Sequence, residues 1–319
     1  MPRTFLIDTD TASDDAVALV MALRHPDVRV AAITVVSGNV PLHQGVVNAL
    51  YTCELCGRDD VPVFAGADRP LRRAPAHAQW FHGADGMGDM NYPAPPRAPE
   101  PAHAVDAMIQ TIRANPGIEL VTLGPLTNVA LALQRDPGIA KNVTRCVVMG
   151  GNPCCEGNVT PAAEYNIWCD PEAARTVLHS GLPVELIGWQ LSRGRAVLNH
   201  DDIARVRALD TPLAHFAIDC NRVALNAYRA QTGEEGIALP DPIAMAVALD
   251  RSVCTRADLH RIEVETSSEL TRGMTVVDKL GVVTDDAHHE AWDRDANKCT
   301  VCWEIDVERW KRMLVGALR

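Results

Sequence analysis

Residues 4–20 read Thr4-Phe5-Leu6-Ile7-Asp8-Thr9-Asp10-Thr11-Ala12-Ser13-Asp14-Asp15-Ala16-Val17-Ala18-Leu19-Val20, and the reading of this stretch decides the fold. Four carboxylates, Asp8, Asp10, Asp14 and Asp15, fall within eight positions between two apolar runs. Phe5, Leu6 and Ile7 read as a short buried strand, and Asp14 through Leu23 as a helix whose Ala, Val, Leu and Met positions face a core. The acids therefore sit on the turn between them. Asp8 and Asp10 lie two apart and project from one face if the strand conformation persists, while Asp14 and Asp15 occupy the first helical turn, where the macrodipole favours negative charge. Like charges packed this closely repel by something on the order of several kcal/mol unless a cation or shifted pKa values relieve them. Carboxylate oxygens without paired Cys or His point to a hard ion, Ca²⁺ or Mg²⁺. A helix-capping cluster with Ser13 or Asp14 as cap is the competing explanation, but it leaves Asp8 and Asp10 idle.

Outward from this stretch, Val28 to Val36 is an apolar run with β-branched residues, suited to a strand buried on both faces, and it ends at Ser37-Gly38-Asn39. A helix from about Leu42 to Cys56 and a strand at 61–64 follow. The order β-α-β-α-β predicts an α/β fold with an open, mostly parallel central sheet flanked by helices, whose binding crevice lies at the carboxyl ends of the strands. The acid cluster and Asn39 both occupy such ends. Residues 66–101 then hold seven of the 21 prolines together with Trp80-Phe81-His82-Gly83, and a loop this long reads as an active-site lid.

Beyond it come a helix at 102–114, a strand at 118–123, the turn Gly124-Pro125-Leu126-Thr127-Asn128, a helix and a strand at 145–149. Asn158, Glu164 and Asn166 follow on a strand-end loop. Two amides and a carboxylate bracket several hydroxyls, so the set suits a polyol, whereas a phosphate would want backbone N–H groups or Arg. A strand at 184–187, one long helix at 212–230, and Pro240-Asp241-Pro242 opening a helix at 243–249 come next, so Asp241 lies at a helix start as Asp14 does. Strands at 261–265, 274–277 and 299–305 and a last helix complete the chain.

With 319 residues the chain can bury a large core, as one domain or two. A net charge of −11 without a basic run argues against nucleic acid or an anionic membrane surface as partner. No apolar segment is long enough to span a bilayer, and Met1-Pro2-Arg3 leads directly into the first strand without a signal peptide, so a cytoplasmic protein is expected. Two C-x-x-C pairs, Cys53/Cys56 and Cys299/Cys302, read as small core hydrophobes rather than a zinc site.

Taken jointly, Asp8-Thr9-Asp10 with Asp14-Asp15, Ser37-Gly38-Asn39, Leu123-Gly124-Pro125-Leu126-Thr127-Asn128, Met149-Gly150-Gly151, Gly157-Asn158 through Asn166, and Asp241 resemble the inosine-uridine type nucleoside hydrolases over nearly the whole chain. The resemblance implies a Rossmann-like single domain over 1–319 and an N-ribohydrolase that splits a ribonucleoside into ribose and free base with one Ca²⁺. Asp10, Asp15 and Asp241 would bind the ion with side chains and Leu123 with its carbonyl. Asp10 would be the general base for water, Asp14 and Asn166 would hold the 2′- and 3′-hydroxyls, and Asn158 and Glu164 the 5′-hydroxyl end. Asn39 and Met149 would line the ribose, with Asp241 also among the substrate contacts. A small-molecule nucleoside partner, a role in nucleoside salvage and a homodimer or homotetramer are implied in the same way.

One departure stands out. Where the family places a His immediately before the late Asp as leaving-group acid, this chain has Pro240. His82 matches another family histidine and is the candidate acid, with stacking on Trp80 or Phe81 as an alternative way to activate the base and Tyr228 as a further base contact. Two rival readings remain open here. In a haloacid-dehalogenase-like phosphohydrolase Asp8 would be the nucleophile and Asp10 the acid/base, but that requires a downstream Lys and Lys141 is the only one before Lys279. In a nucleoside- or ribose-binding protein the pocket would survive and turnover would be lost with the missing His.

Overall fold

Apolar, β-branched runs become buried parallel strands, and the polar segments between them become crossovers. The computed structural model describes residues 2–282 and 298–319. Ten strands are described: β1 Arg3–Thr9, β2 Val28–Val35, β3 Val63–Ala65, β4 Ile118–Thr122, β5 Val143–Met149, β6 Val184–Ile187, β7 Cys254–His260, β8 Ile262–Val264, β9 Thr275–Val277 and β10 Cys299–Ile305. Eight form one sheet in the order β3-β2-β1-β4-β5-β6-β10-β7, and β8 and β9 pair separately. All pairings in the large sheet are parallel except β10 with β7. β1 is therefore central, with Asp8 opposite Thr34 on one side and Thr122 on the other.

The helices are α1 Ser13–Leu23, α2 Leu42–Leu55, α3 Gln79–His82, α4 Ala104–Ala114, α5 Thr127–Arg135, α6 Tyr165–Cys169, α7 Pro171–Leu178, α8 His200–Arg207, α9 Pro212–Asp219, α10 Arg222–Thr232, α11 Pro240–Leu249 and α12 Val307–Ala317. Alternate strand residues feed two cores. Phe5, Ile7, Ile33, Val121 and Val147 pack with α1, α2, α11 and α12, while Leu6, Ala32, Leu120, Cys146 and Val148 pack with α4, α5 and α7. This period of two is what a sheet covered on both faces requires. Helix α1 is buried at every residue, its two aspartates included, because α2, α9, α11 and α12 enclose it against the sheet.

The long helix expected at 212–230 is in fact two. Asn221 breaks it: its side-chain amide donates to the Ala217 carbonyl at 3.0 Å, and its own carbonyl accepts from Leu225 N–H at 2.9 Å, which opens α10. Asparagine competes with the helix ladder in this way, and hydrophobic periodicity does not register it. Helix α11 starts at Pro240 rather than Ile243, with proline in the first turn, where its missing N–H leaves nothing unsatisfied. Strand β7 went unforeseen because five successive residues, Thr255 to Leu259, are exposed and no alternation marks an edge strand of this kind. Residues 66–101 are tied down along their length. His77 Nδ1 bonds the Gly38 carbonyl at 2.8 Å, Ala78 N–H the Asn39 carbonyl at 2.9 Å, and Arg222 Nε the Gly88 carbonyl at 2.6 Å.

Candidate active site

The acid turn sits at the carboxyl end of β1, where β2 and β4 flank it. Asp8 accepts from Thr34 Oγ1 at 2.6 Å and from Asn128 Nδ2 at 2.9 Å, and Asn128 in turn bonds the Val35 carbonyl at 3.1 Å and receives the Ala67 N–H at 2.9 Å. One amide thus ties β1, β2 and the start of the long loop together. Asp10 is fully buried below the cleft: Oδ2 accepts the Asn39 N–H at 2.6 Å, and Oδ1 is buried with no hydrogen-bond partner. A Cβ at Gly38 would lie 2.1 Å from Asp10 Oδ2, and one at Gly124 would lie 2.7 Å from Oδ1. Both motif glycines are therefore there to let this carboxylate in.

Asp15 accepts from Thr9 Oγ1 at 2.6 Å and from Ala12 N–H at 3.0 Å, so it closes the first turn of α1. Capping is real, but it accounts for this one acid. Asp241 arrives from the first turn of α11, carried in by the α1–α11 contact. One oxygen each from Asp14, Asp15 and Asp241 lie within 4.8 Å of one another, the only such ligand group among the described residues. Asp10 stands against this trio rather than in it. Burial first, and then the charges of the neighbouring acids, push the carboxyls of Asp10 and Asp241 well up from the ordinary range and that of Asp14 to about 7. Burial likewise raises Asp15. Four buried carboxylates, with Asp10 Oδ1 and Asp14 Oδ1 left without a donor, form a hard oxygen cage that fits a divalent cation.

Above the acids opens a cleft of about 690 Å³. Asp14, Asn39, Leu123, Met149, Asn166 and Asp241 line its floor. Asn166 Nδ2 donates to the Leu123 carbonyl at 2.7 Å and the Met149 carbonyl at 3.3 Å, which joins the ends of β4 and β5. Glu164 and Asn158 line one wall. The Glu164 carboxylate accepts N–H groups of Asn166 at 2.9 Å, Gly151 at 2.8 Å and Ile167 at 3.3 Å, and burial still pushes it up to about 7. Asn158 Oδ1 accepts the Tyr165 N–H at 2.8 Å. Opposite stand aromatic rings. Trp80 and Phe81 meet edge to face with centroids 5.5 Å apart, and Phe81 meets His82 at 5.0 Å.

The inosine-uridine preferring nucleoside hydrolase family model matches residues 5–312. The chain belongs to this family. A pyrimidine-specific ribonucleoside hydrolase, RihA of Shewanella sp. (strain MR-7), is 38% identical over 100% of this chain and 96% of its own. A plant nucleoside hydrolase structure superposes with a TM-score of 0.93 at 32% identity, covering 100% of this chain and 99% of that one. A purine-preferring ribonucleoside hydrolase from Gardnerella vaginalis gives 0.88 at 30% identity, covering 99% and 98%. This nucleoside hydrolase is therefore a glycosidase acting on N-glycosyl compounds.

Within the hydrolase, the phosphatase reading fails on geometry as well. Lys141 is exposed and precedes β5, at the end of the sheet opposite the acids. Two of the expected base contacts need separate treatment. Trp80 lines the cleft while remaining 61% exposed, so a bound base would gain its cover. Tyr228 is not among the residues lining the cleft. Its ring packs against Trp189 with centroids 6.4 Å apart, and its hydroxyl donates to Glu234, so Trp189 is the ring that lines the cleft and Tyr228 backs it. Asn221 also lines the cleft, and no sequence pattern pointed to either Trp189 or Asn221. His82 shares Nδ1 with Ser13 Oγ at 2.8 Å and lies 3.8 Å from Asp14 Oδ1, and burial pushes it down to about 3, which keeps the ring neutral. Pro240 lines the cleft and offers no donor. Among the described residues no helix is long and apolar enough to cross a membrane.

Proposed function

We propose that the hydrolase cleaves the N-glycosidic bond of ribonucleosides to ribose and free base, with Asp10 as general base for water. The observation that carries this is the convergence of Asp10, Asp14, Asp15 and Asp241 beneath a cleft walled by polar groups on one side and aromatic rings on the other. Asp10, Asp15 and Asp241 with the Leu123 carbonyl would hold Ca²⁺, leaving Asp14 to the sugar. The bound ion would lower the pKa of a nearby water and orient a vicinal diol. Asp10 takes the proton of the attacking water through Oδ1, the oxygen that accepts no hydrogen bond. Asp14 and Asn166 hold the 2′- and 3′-hydroxyls, which fixes the ring over Asp10. Glu164 and Asn158 receive the 5′-hydroxyl end, and Met149 and Asn39 pack against the furanose. As the glycosidic bond lengthens, the sugar gains oxocarbenium character, and the carboxylates below it oppose that charge.

The leaving base emerges between Trp80, Phe81 and Trp189, where stacking suits either base class. Its proton is assigned to His82, which lines the cleft beside Phe81; because burial holds this ring neutral, the role requires that it take up a proton as substrate binds. The family relatives include both pyrimidine-specific and purine-preferring enzymes, so purine and pyrimidine nucleosides both belong in the trial. A homodimer or homotetramer in the cytoplasm is part of the same reading and is carried by the family resemblance alone.

A panel of purine and pyrimidine ribonucleosides, assayed for freed base and reducing sugar, tests the assignment. Turnover of at least one with stoichiometric ribose is expected, and binding without ribose would overturn it. In the same panel His82→Ala slows nucleosides with poor leaving groups by on the order of a hundredfold more than an activated aryl riboside. Equal slowing of both clears His82 of proton transfer, and its hydrogen bond to Ser13 would then be its whole role.

A further inference from the structure

The cysteines paired by spacing do not pair in space. Cys299 and Cys302 lie three apart on β10, so their side chains leave opposite faces of the sheet. Cys299 packs in the core beside α7, Cys302 in the core beside α11 and α12. Cys53 and Cys56 are both buried on α2, and burial pushes their thiols up to about 11 and about 12. The sulfur that Cys302 meets is that of Cys254 on β7, at 2.6 Å. This is inside the ordinary contact of two unbonded sulfurs and longer than a bond of about 2.05 Å, so the two thiols are close enough to be joined with little movement of either strand.

The strand ladder explains the meeting. Cys302 pairs with Ala257 and Ile305 with Cys254, with irregularities on either side of Glu304. In a regular ladder Cys254, three residues from the partner of Cys302, would stand on the other face. The bulge turns the strand so that both sulfurs point toward one core, where Cys254 packs at the margin. Cys254 is half-buried and Cys302 fully buried, so one thiol is open to a small solute and the other is not.

We propose that Cys254 and Cys302 are a redox site, closing a reversible disulfide that staples the edge strand β7 to β10 when the protein meets a hydroperoxide. The Cys302 S–H donates to Cys254 Sγ, which lowers the Cys254 thiol from its ordinary range and marks it as the attacking sulfur. Cys254 thiolate attacks the terminal peroxide oxygen, the O–O bond breaks, and the alkoxide or hydroxide leaves with a proton from solvent, giving the sulfenic acid. Cys302 sulfur then attacks the sulfenic sulfur, its own proton goes to the departing hydroxyl, and water is released. The peroxide is reduced by two electrons and the two thiols are oxidised by two. No third metal-ligating side chain joins the pair among the described residues, which separates it from a thiolate metal site.

The test uses the full chain in its native state. The protein is treated with one equivalent of hydrogen peroxide, and thiols are alkylated in denaturant and peptides mapped. The expected result is a fall in free thiols from ten to eight, a linked Cys254–Cys302 peptide, and return to ten with dithiothreitol. Both cysteines alkylated while only exposed Cys154 is oxidised overturns the proposal, as does Cys254 carried to sulfinic acid with Cys302 still free. Cys254→Ser abolishes the link and leaves Cys302 unoxidised. The wild-type map decides the matter even if that variant does not fold, and it is independent of nucleoside turnover.

Discussion

Asp10→Asn folds like the wild type and turns over nucleoside at least on the order of a thousandfold more slowly, because one substitution removes the base and an oxygen ligand together. The fold survives because asparagine is isosteric with aspartate and its amide oxygen still accepts the Asn39 N–H that Oδ2 accepts at 2.6 Å. Removing one of four buried like charges also relieves repulsion, so the melting temperature of the ion-free protein stays level or rises. Initial rates of base release and a thermal melt on one preparation check both halves. Near-native turnover would take the base role away from Asp10.

Chelation of divalent ions abolishes turnover and steepens the loss of stability as pH rises. Without a cation, the carboxyls of Asp10, Asp14, Asp15 and Asp241 all titrate above their ordinary value of 3.8 in the folded protein, Asp14 at about 7. The folded state then holds more protons than the unfolded chain across this window. Stability is greatest where the acids are protonated, below about 4, and is lost as pH rises toward about 7. Saturating Ca²⁺ binds the ionised form and removes most of that slope, raising the melting temperature most at pH 8. Asp8 and Glu164, also raised to about 7 by burial, keep a residual slope in the loaded protein. Melts from pH 4 to 8 with EGTA and with Ca²⁺ measure this. Equal turnover in both, or parallel melting curves, would remove the cation from the site.

Much of this architecture was legible before any coordinate. β1, β2, β4 and β5 each carry a strand-length run of apolar, often β-branched residues, and a charge density like that of 8–15 has few physical explanations. Asn158, Glu164 and Asn166 all line the cleft. What stayed hidden has a common cause, since each feature depends on a hydrogen bond or close approach that hydrophobic periodicity does not register. Asn221 looks like any polar residue on a helix until its amide is seen to cap the break after α9. Gly38 and Gly124 look like turns until the Asp10 carboxylate is found between them. Trp189 supplanted Tyr228 at the cleft because Glu234, six residues beyond the tyrosine, claims its hydroxyl. The Cys254–Cys302 contact depends on a bulge that no local pattern encodes.

The crossing of α1 and α11 has a kinetic corollary. Three of the four acids come from the end of β1 and the first turn of α1 and the fourth from α11, more than two hundred residues later, so neither part offers a complete coordination sphere until the two helices dock. An ion that fits the finished cage is absent from the folding nucleus. Ca²⁺ would leave the refolding rate untouched and slow only unfolding, acting as a lock on a finished structure rather than a template for making it.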